Sequence, residues 1–216
     1  MGEVIPIRPT KPEGIVLIQA HRFRANKALN FDAWVRARED GVTATEVANA
    51  ATPAGFSNLV EGYSTPPEPY DNPYMEFGRR TEAPVGEWLK EQCGIFPNEW
   101  LISHDNPIYM ATPDGLSLDH QVISEIKTTG KDWDPEKIPI RYRRQVQWQL
   151  YVTGAGYCVF SWMLRVETRT GEFQPGWIEP KMVKIHRDKY MIEDLKDVAN
   201  RLWEIKGEVL GKNGEK

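Results

Sequence analysis

Residues 113–127 read PDGLSLDHQVISEIK, a tight turn followed by an apolar strand that ends in charged residues. Glu125 and Lys127 lie two positions apart on this strand, so their side chains leave the same face. The turn at Gly115 allows a hairpin to bring Asp114 beside Glu125. Since Mg²⁺ takes one or two protein carboxylates and keeps several waters, the hairpin predicts a magnesium site that also lies near Lys127.

The chemistry of such a site is hydrolysis of a phosphodiester. A bound metal ion polarises a phosphoryl oxygen and lowers the pKa of its water. The backbone carbonyl of Ile126 would point near the same ion, and Lys127 can position the attacking water or help to deprotonate it. Each piece alone has an ordinary explanation, since Glu-x-Lys on a strand is common as a solvated ion pair and Asp-Gly is common in turns. The order and spacing together make the metal site as well supported as these ordinary explanations, and both remain open at this point.

Helical and strand patterns extend outward from the hairpin. Strands are predicted near residues 99–103, 107–112, 122–127, 156–164 and 177–185. Helices are predicted at residues 31–38, 44–50, 77–93 and 140–153 and over the amphipathic stretch from Ile192 to Val209. Loops or turns are predicted at residues 51–74, 128–137 and 170–176. This order predicts a mixed α/β (α+β) domain with a small central sheet flanked by helices.

Two of the predicted helices carry further candidates. Glu82 lies on the helix before the strands and could bind metal-coordinated water; the alternative is an exposed acid that complements the helix macrodipole. On the helix over 140–153, glutamine side chains could donate to phosphate oxygens or waters; the alternative is a solvated helix with a core stripe. The arginines suited to phosphate contacts are Arg79, Arg80, Arg141, Arg143 and Arg144.

The composition fits one globular domain in a reducing compartment. The chain has 216 residues, 40% of them hydrophobic, which is enough for a substantial core. Its net charge of −4 counts against a uniformly basic nucleic-acid binder, but local arginine clusters govern binding more than the total charge does. Cys93 and Cys158 lie far apart, which argues against a cysteine-built zinc site. No signal peptide or membrane-spanning run is visible, so a cytoplasmic location is predicted.

In chain order, Glu82, Asp114, the EIK segment and the glutamine-bearing helix resemble the PD-(D/E)xK nucleases of the RecB-like branch. More narrowly, the PDGL, EIK and QVQ segments resemble lambda exonuclease and the YqaJ-like viral recombinase family, over about residues 34–208. The resemblance implies a restriction-endonuclease-like PD-(D/E)xK core. The implied metal ligands are Asp114, Glu125 and the backbone carbonyl of Ile126, with Glu82 acting through water. The implied catalytic residues are Glu82, Asp114, Glu125, Lys127 and Gln145. Gln147 also fits a pattern of the RecB-like branch and is the alternative to Gln145, which is favoured.

A second stretch, GVTATEV at residues 41–47, resembles the segment with which this family binds the 5′ phosphate of a DNA end. The resemblance implies that Arg38, Thr43 and Thr45 bind this phosphate here. The stretch departs from the family pattern, because Thr45 stands where serine is usual and one residue fewer follows Gly41. The alternative is a plain capping box, which Thr43 and Glu46 form by themselves.

The resemblance also implies an activity and partners. The activity is that of a Mg²⁺-dependent 5′-to-3′ exodeoxyribonuclease on linear double-stranded DNA ends, with Mn²⁺ able to substitute, in phage-type recombination by single-strand annealing. The partners are a single-strand annealing protein and two further copies of the chain in a ring-shaped homotrimer, in the host cytoplasm if the chain is phage-encoded. Residues 31–210 are expected to form one exonuclease domain, with residues 1–30 as an N-terminal arm and residues 211–216 as a disordered tail.

Two alternatives share most of this reasoning. An endonuclease with the same site would cut closed circular DNA, which an end-dependent enzyme cannot. A catalytically inactive DNA-binding module would bind DNA without turnover. The intact Asp114, Glu125 and Lys127 argue against the inactive module, because a protein that only binds DNA has no need of mutually repelling carboxylates near phosphate.

Overall fold

The computed structural model describes residues 17–65 and 71–211 of the chain. The helices over these residues are α1 (Phe31–Glu39), α2 (Ala44–Ala50), α3 (Pro53–Ser64), α4 (Pro73–Cys93), α5 (Ile140–Thr153) and α6 (Lys189–Val209). The strands are β1 (Phe23–Asn26), β2 (Val42–Thr43), β3 (Ile95–Pro97), β4 (Trp100–Ser103), β5 (Tyr109–Ala111), β6 (Gly115–Ser117), β7 (Val122–Thr129), β8 (Tyr157–Glu167), β9 (Phe173–Pro175) and β10 (Lys181–His186). Residues 1–16 of the predicted arm and residues 212–216 of the predicted tail lie outside the described residues.

Two mixed sheets form the centre of the described structure. The larger sheet has the strand order β10-β8-β7-β6-β3, with β9 also paired to β8, and the smaller sheet has the order β1-β4-β5-β2. In the larger sheet, β7 runs parallel to β8 and antiparallel to β6. The prediction of a mixed α/β domain with flanking helices is confirmed, although two sheets replace the single predicted sheet.

The larger sheet packs against α4 on one face and α5 on the other. Side chains at successive positions of a strand point to opposite faces. Ile126 of β7 belongs to a buried cluster with Leu89 of α4, whereas Ile123 of β7 belongs to the cluster that contains Trp148 of α5. Glu125 is two residues from Ile123, so this alternation turns its side chain toward α5.

Local capping signals fix the helices that border the site. Thr43 caps α2, where its side chain accepts from Glu46 N and its own N–H donates to the Glu46 carboxylate at 2.8 Å. Gly154 ends α5 with a left-handed φ of 83°. Both helices begin and end at the predicted residues. In contrast, α4 begins four residues earlier than predicted, because Asn72 caps it and Pro73 is tolerated at the first helical position.

The prediction of a loop over residues 51–74 is wrong. Pro53–Ser64 form α3, which begins at a cap made by the side chain of Thr52. Phe56 and Tyr63 of this helix pack against the main core. Proline, glycine, serine and asparagine in this stretch favour a loop by composition, but the burial of these apolar side chains stabilises a helix.

Several short strands also depart from the predictions. β3 and β6 have no counterpart among the predicted strands, and β9 pairs with β8 where a turn was predicted for residues 170–176. β1 pairs with β4, and Ile18 is buried, so the described end of the predicted arm packs on the domain. β3, β6 and β9 have three residues each and do not lie in a longer apolar run, as β4 and β5 do, which is why the sequence did not reveal them.

Neither cysteine is in a disulfide, and Cys158 is buried on β8 while Cys93 is half-buried at the end of α4. A buried free cysteine such as Cys158 packs as a small apolar side chain. Of the helices within residues 17–65 and 71–211, none has the length and apolar character that a membrane crossing requires.

Candidate active site

The hairpin of β6 and β7 places Asp114 beside the strand that carries Glu125. The backbone N–H of Asp114 donates to Ser124 O at 3.0 Å, and the Asp114 Oδ2 atom accepts from Ile126 N at 2.6 Å. A Cβ atom at Gly115 would stand 2.3 Å from Ser124 Oγ and 2.9 Å from Ile95 Cγ2, so glycine lets the two strands close here without a shift of these side chains. The geometry therefore agrees with the arrangement predicted from the spacing.

The Glu125 carboxylate is buried and held by three side-chain donors. Its Oε1 atom accepts from Lys127 Nζ and from Gln145 Nε2, the latter at 2.6 Å. Its Oε2 atom accepts from Gln149 Nε2, also at 2.6 Å. Glu125 is 1% exposed, so these bonds replace water and fix the orientation of the carboxylate.

One cleft gathers residues that are far apart in the sequence. The predicted site residues that line it are Arg38, Thr43, Thr45, Glu82, Asp114, Glu125, Lys127 and Gln145. Further polar residues that the sequence did not single out also line it, namely Lys27, Asn98, Glu99, Thr112 and Gln149. The acidic residues and the α1–α2 segment therefore face the same space.

Burial and neighbouring charges shift the pKa values of the ionisable side chains in the cleft. Burial raises the pKa of Asp114 well above its usual value, and the charge of Glu125 adds to the effect. Burial also raises the pKa of Glu82. Burial works against the charge of the Lys127 ammonium, but the charges of Glu125 and Asp114 outweigh it and raise the pKa of Lys127. A cation placed among these acids would relieve their repulsion.

The groups present fit a hard divalent cation. Asp114 and Glu125 supply two carboxylates, and the buried Oε1 atom of Gln149 has no hydrogen-bond partner among the described residues. No group of three or more His, Cys, Asp or Glu side chains within residues 17–65 and 71–211 is arranged to hold a metal ion. Carboxylate and amide oxygens are the kind of ligand that a hard divalent cation prefers.

The three glutamines of α5 have different positions. Gln145 and Gln149 are four residues apart on one face of the helix, and both donate to Glu125. Gln147 points away, where its Nε2 donates to His186 O at 2.8 Å and its Oε1 accepts from Asp188 N at 2.7 Å. The structure therefore brings Gln145 to the acids and not Gln147. Gln149 was missed, although its i, i+4 spacing from Gln145 was the available signal.

The opposite wall of the cleft comes from α1 and the start of α2. The Arg38 guanidinium lies over the ring of Trp34, 4.3 Å from its centroid. The Thr43 hydroxyl donates to Glu46 Oε2 at 2.7 Å, so its hydrogen is already used within the capping box. Thr45 is exposed at this wall. Arg38 and Thr45 are consequently the better placed of the three predicted phosphate-binding side chains.

The five predicted DNA-binding arginines do not lie in one groove. Arg79 pairs with Asp71 at the surface, and Arg80 donates to a backbone carbonyl at 2.7 Å. Arg143 turns back to backbone carbonyls of the preceding turn. The remaining two, Arg141 and Arg144, line a separate groove with Asn49 and Asn58 between α2, α3 and α5. Neighbouring helical positions point about 100° apart, which separates arginines that are adjacent in sequence.

The fold and the cleft define the class of protein: this is a nuclease built on the PD-(D/E)xK core. The family model of the YqaJ-like viral recombinase domain matches residues 33–156, more than half of the chain. The chain therefore belongs to that family, and it is a DNA-hydrolysing enzyme.

Solved structures agree with the fold. The chain is similar to an alkaline exonuclease (LHK-Exo) from Laribacter hongkongensis, with a TM-score of 0.66 and 23% identity over 83% of this chain and 95% of that one. The structure of LHK-Exo in complex with dAMP gives the same TM-score and coverage with 25% identity. A phage related exonuclease from Haemophilus somnus 129PT gives a TM-score of 0.61 and 12% identity over 80% of this chain and 96% of that one. No curated protein matches the chain.

Proposed function

We propose that this nuclease is a Mg²⁺-dependent 5′-to-3′ exodeoxyribonuclease that acts on linear double-stranded DNA ends. The observation that carries the proposal is that Asp114 and Glu125 line the same cleft as Arg38 and Thr45. A terminal phosphate held at the Arg38 wall would leave the adjoining phosphodiester facing the carboxylates. Mn²⁺ would replace Mg²⁺, because both are hard cations that prefer oxygen ligands.

The side chains of the acidic wall have distinct roles in this proposal. Asp114 and Glu125 would hold the metal ion, together with the backbone carbonyl of Ile126, and Glu82 would act through water. The ion would supply charge stabilisation at the phosphoryl oxygens and a lowered pKa for water. Lys127 would orient the attacking water and offset phosphate charge, while Gln145 keeps the Glu125 carboxylate in one orientation.

The opposite wall would select the end of the strand. Arg38 is always protonated at physiological pH and suits a bidentate contact with phosphate. Its position over Trp34 orders the guanidinium before DNA arrives. Thr45 adds a hydroxyl donor, and Thr43 would act mainly by ordering this wall through Glu46. Each cleavage leaves a new 5′ phosphate that this wall can bind, which would favour repeated cutting along one strand.

Two of the three glutamines on α5 give a first prediction. Gln145→Leu should lower kcat by about 10- to 100-fold, because groups that orient a metal ligand contribute about that much. Gln147→Leu is the matched control, since it removes the same amide from the same helix outside the cleft. It should lower the melting temperature, because His186 O and Asp188 N lose their partner, and leave kcat near the wild-type value. An equal loss of kcat in the two variants would contradict the assignment.

Arg141 and Arg144 would contact the DNA backbone away from the cut. The double variant Arg141→Ala/Arg144→Ala should weaken duplex binding and lower the salt dependence of log K by about 1 to 2 units, at about 0.9 per lost phosphate contact. The measurement is fluorescence anisotropy of a labelled duplex over a range of KCl concentrations in EDTA. Arg79→Ala is the control, because Arg79 is paired with Asp71. An unchanged slope in the double variant would remove this groove from the DNA path.

The family also leads us to expect partners. A ring-shaped homotrimer would enclose the DNA, and a single-strand annealing protein would receive the strand that remains. Mass measurement in solution tests the first expectation, and a monomer at working concentrations would exclude the ring.

Digestion of DNA tests the activity itself. Linear duplexes with and without a 5′ phosphate are compared with a closed circle, in Mg²⁺ and in EDTA. We expect metal-dependent loss of the linear DNA only, faster with the 5′ phosphate. Cutting of the circle would show an endonuclease with the same site, and binding without any cutting would show an inactive DNA-binding module.

A further inference from the structure

A buried lysine of the last helix contacts the wall of the cleft that holds Arg38. Lys206 of α6 is 5% exposed. Its ammonium group donates to Gly41 O at 2.7 Å, to Arg38 O at 3.3 Å and to Glu46 Oε1 at 3.2 Å. An ammonium group has three donors and no acceptor, so these three contacts satisfy it completely.

The same carboxylate connects Lys206 to the rest of the wall. Glu46 Oε2 accepts from Thr43 N at 2.8 Å and from the Thr43 hydroxyl at 2.7 Å. The Tyr63 hydroxyl of α3 donates to Glu46 Oε1 at 2.9 Å. The side chains of Lys206, Glu46, Tyr63 and Thr43 therefore form one network, and Thr43 joins it to the segment that carries Arg38 and Thr45.

The other side of this segment is equally constrained. β2 pairs with β5, and Val42 N donates to Ile108 O at 2.7 Å. A Cβ atom at Gly41 would stand 2.3 Å from the same Ile108 oxygen, so the backbone is as close to β5 as it can be. Lys206 binds the carbonyls of Arg38 and Gly41 while Ile108, just before β5, binds the N–H of Val42, so the segment between α1 and α2 is held from two parts of the fold.

A role in folding alone does not require a lysine here. Buried ion pairs can often be replaced by apolar residues of similar volume without loss of stability. An ammonium group is favourable at this place because it meets two carbonyls at the end of α1, where the helix dipole is negative. Those carbonyls set the direction of the last turn of α1, and Arg38 belongs to that turn.

We propose that Lys206 is a positioning residue for recognition of the DNA end: it fixes the backbone at Arg38 and Gly41 so that the Arg38 guanidinium stays at the cleft. The inference rests on the proposed function, since it assumes that Arg38 binds the 5′ phosphate. Lys206 lies outside residues 33–156, which the family model matches. Recognition of the DNA end would thus depend on a residue of α6, which lies beyond the segment that the family model matches.

The test compares Lys206→Met with Lys196→Met in the full-length protein. Methionine is also unbranched and is one atom shorter than lysine, and it removes the charge. Lys196 is on the same helix but pairs with Glu193 at the surface, so its variant should behave as the wild type. The measurement is kcat and KM in Mg²⁺ on linear duplexes that carry either a 5′ phosphate or a 5′ hydroxyl.

We expect Lys206→Met to lower kcat/KM on the phosphorylated duplex by about 10- to 100-fold, because small displacements of a binding group can change rates by about that factor. Activity on the hydroxyl end should stay near the wild-type value, so that the preference for phosphate is lost. Arg38→Gln should lose the same preference. Equal loss on both ends, or an unchanged preference, would overturn the role of Lys206.

Two further outcomes are decisive. If the wild type shows no preference for a 5′ phosphate, the proposed end recognition fails, and the inference about Lys206 fails with it. If Lys206→Met does not fold, as judged by circular dichroism, Tyr63→Phe takes its place, because it removes only the hydroxyl that donates to Glu46. That variant should lower the phosphate preference in part, and a folded Tyr63→Phe with full preference would overturn the network's role.

Discussion

Asp114→Asn should abolish DNA cleavage without harming the fold. The amide keeps the size of the carboxylate and can still accept the hydrogen bond from Ile126 N, which is 2.6 Å long in the native protein. It lacks the charge that a dication requires. The loss of charge stabilisation by the metal ion is worth several kcal/mol in the transition state, so we expect kcat to fall by at least about 10³-fold.

The same substitution should separate metal binding from stability. In the metal-free protein the buried Asp114 carboxylate is close to the charge of Glu125, and both burial and this charge raise its pKa. A neutral amide removes that repulsion, so the melting temperature in EDTA should equal or exceed that of the wild type. Mg²⁺ should raise the melting temperature of the wild type only, because a ligand that binds only the native state stabilises it.

An aspartate in the same hairpin provides the control. Asp119 accepts from the Ser117 hydroxyl and from Gln121 N, and it does not line the cleft. Asp119→Asn should therefore leave both cleavage and the Mg²⁺-dependent rise in melting temperature intact. Wild-type cleavage by Asp114→Asn, or an unchanged response of that variant to Mg²⁺, would remove Asp114 from the metal site.

The parts of this structure that could be predicted are those with local signals. The capping box of Thr43 and Glu46 and the helix end at Gly154 fixed the bounds of α2 and α5. Asp114 and Glu125 are 11 residues apart in one hairpin, so strand alternation and a turn were enough to place them together. Each of these features depends on residues that are neighbours along the chain.

The parts that could not be predicted depend on packing between distant segments. Gln149 reaches Glu125 across 24 positions, and Lys206 reaches Glu46 across 160. The helix over Pro53–Ser64 is stabilised by apolar contacts with the core, which composition does not show. Arg143 points away from Arg141 and Arg144 around the axis of α5 and contacts different neighbours. Arginines that are close in the sequence therefore do not form one cluster in the structure.

Lys127→Met should lose turnover, as Asp114→Asn does, but should keep the metal binding that Asp114→Asn loses. Lys127 Nζ donates to Glu125 Oε1 and so occupies a carboxylate oxygen that a metal ion would also use. Methionine removes this competitor and a positive charge beside the ion, so the affinity for Mg²⁺ should stay the same or increase. The attacking water loses the group that orients it, and we expect kcat to fall by about 10²- to 10⁴-fold, the usual contribution of a positioned acid or base.

The metal-free form of this variant should also be less stable. Glu125 is 1% exposed, and without Lys127 its charge has only amide donors. Removing one partner of a buried ion pair lowers the free energy of unfolding by about 3–5 kcal/mol. We expect a loss in the lower part of this range, because Gln145 and Gln149 still donate to Glu125. Titration calorimetry measures the affinity for Mg²⁺, and cleavage of a linear duplex measures turnover. The control is Lys131→Met, because Lys131 is an exposed lysine just after β7. If Mg²⁺ binding and turnover are lost together, Lys127 organises the metal site. If turnover is unchanged, Lys127 has no part in catalysis. Only a loss of turnover with Mg²⁺ binding retained supports its role beside the attacking water.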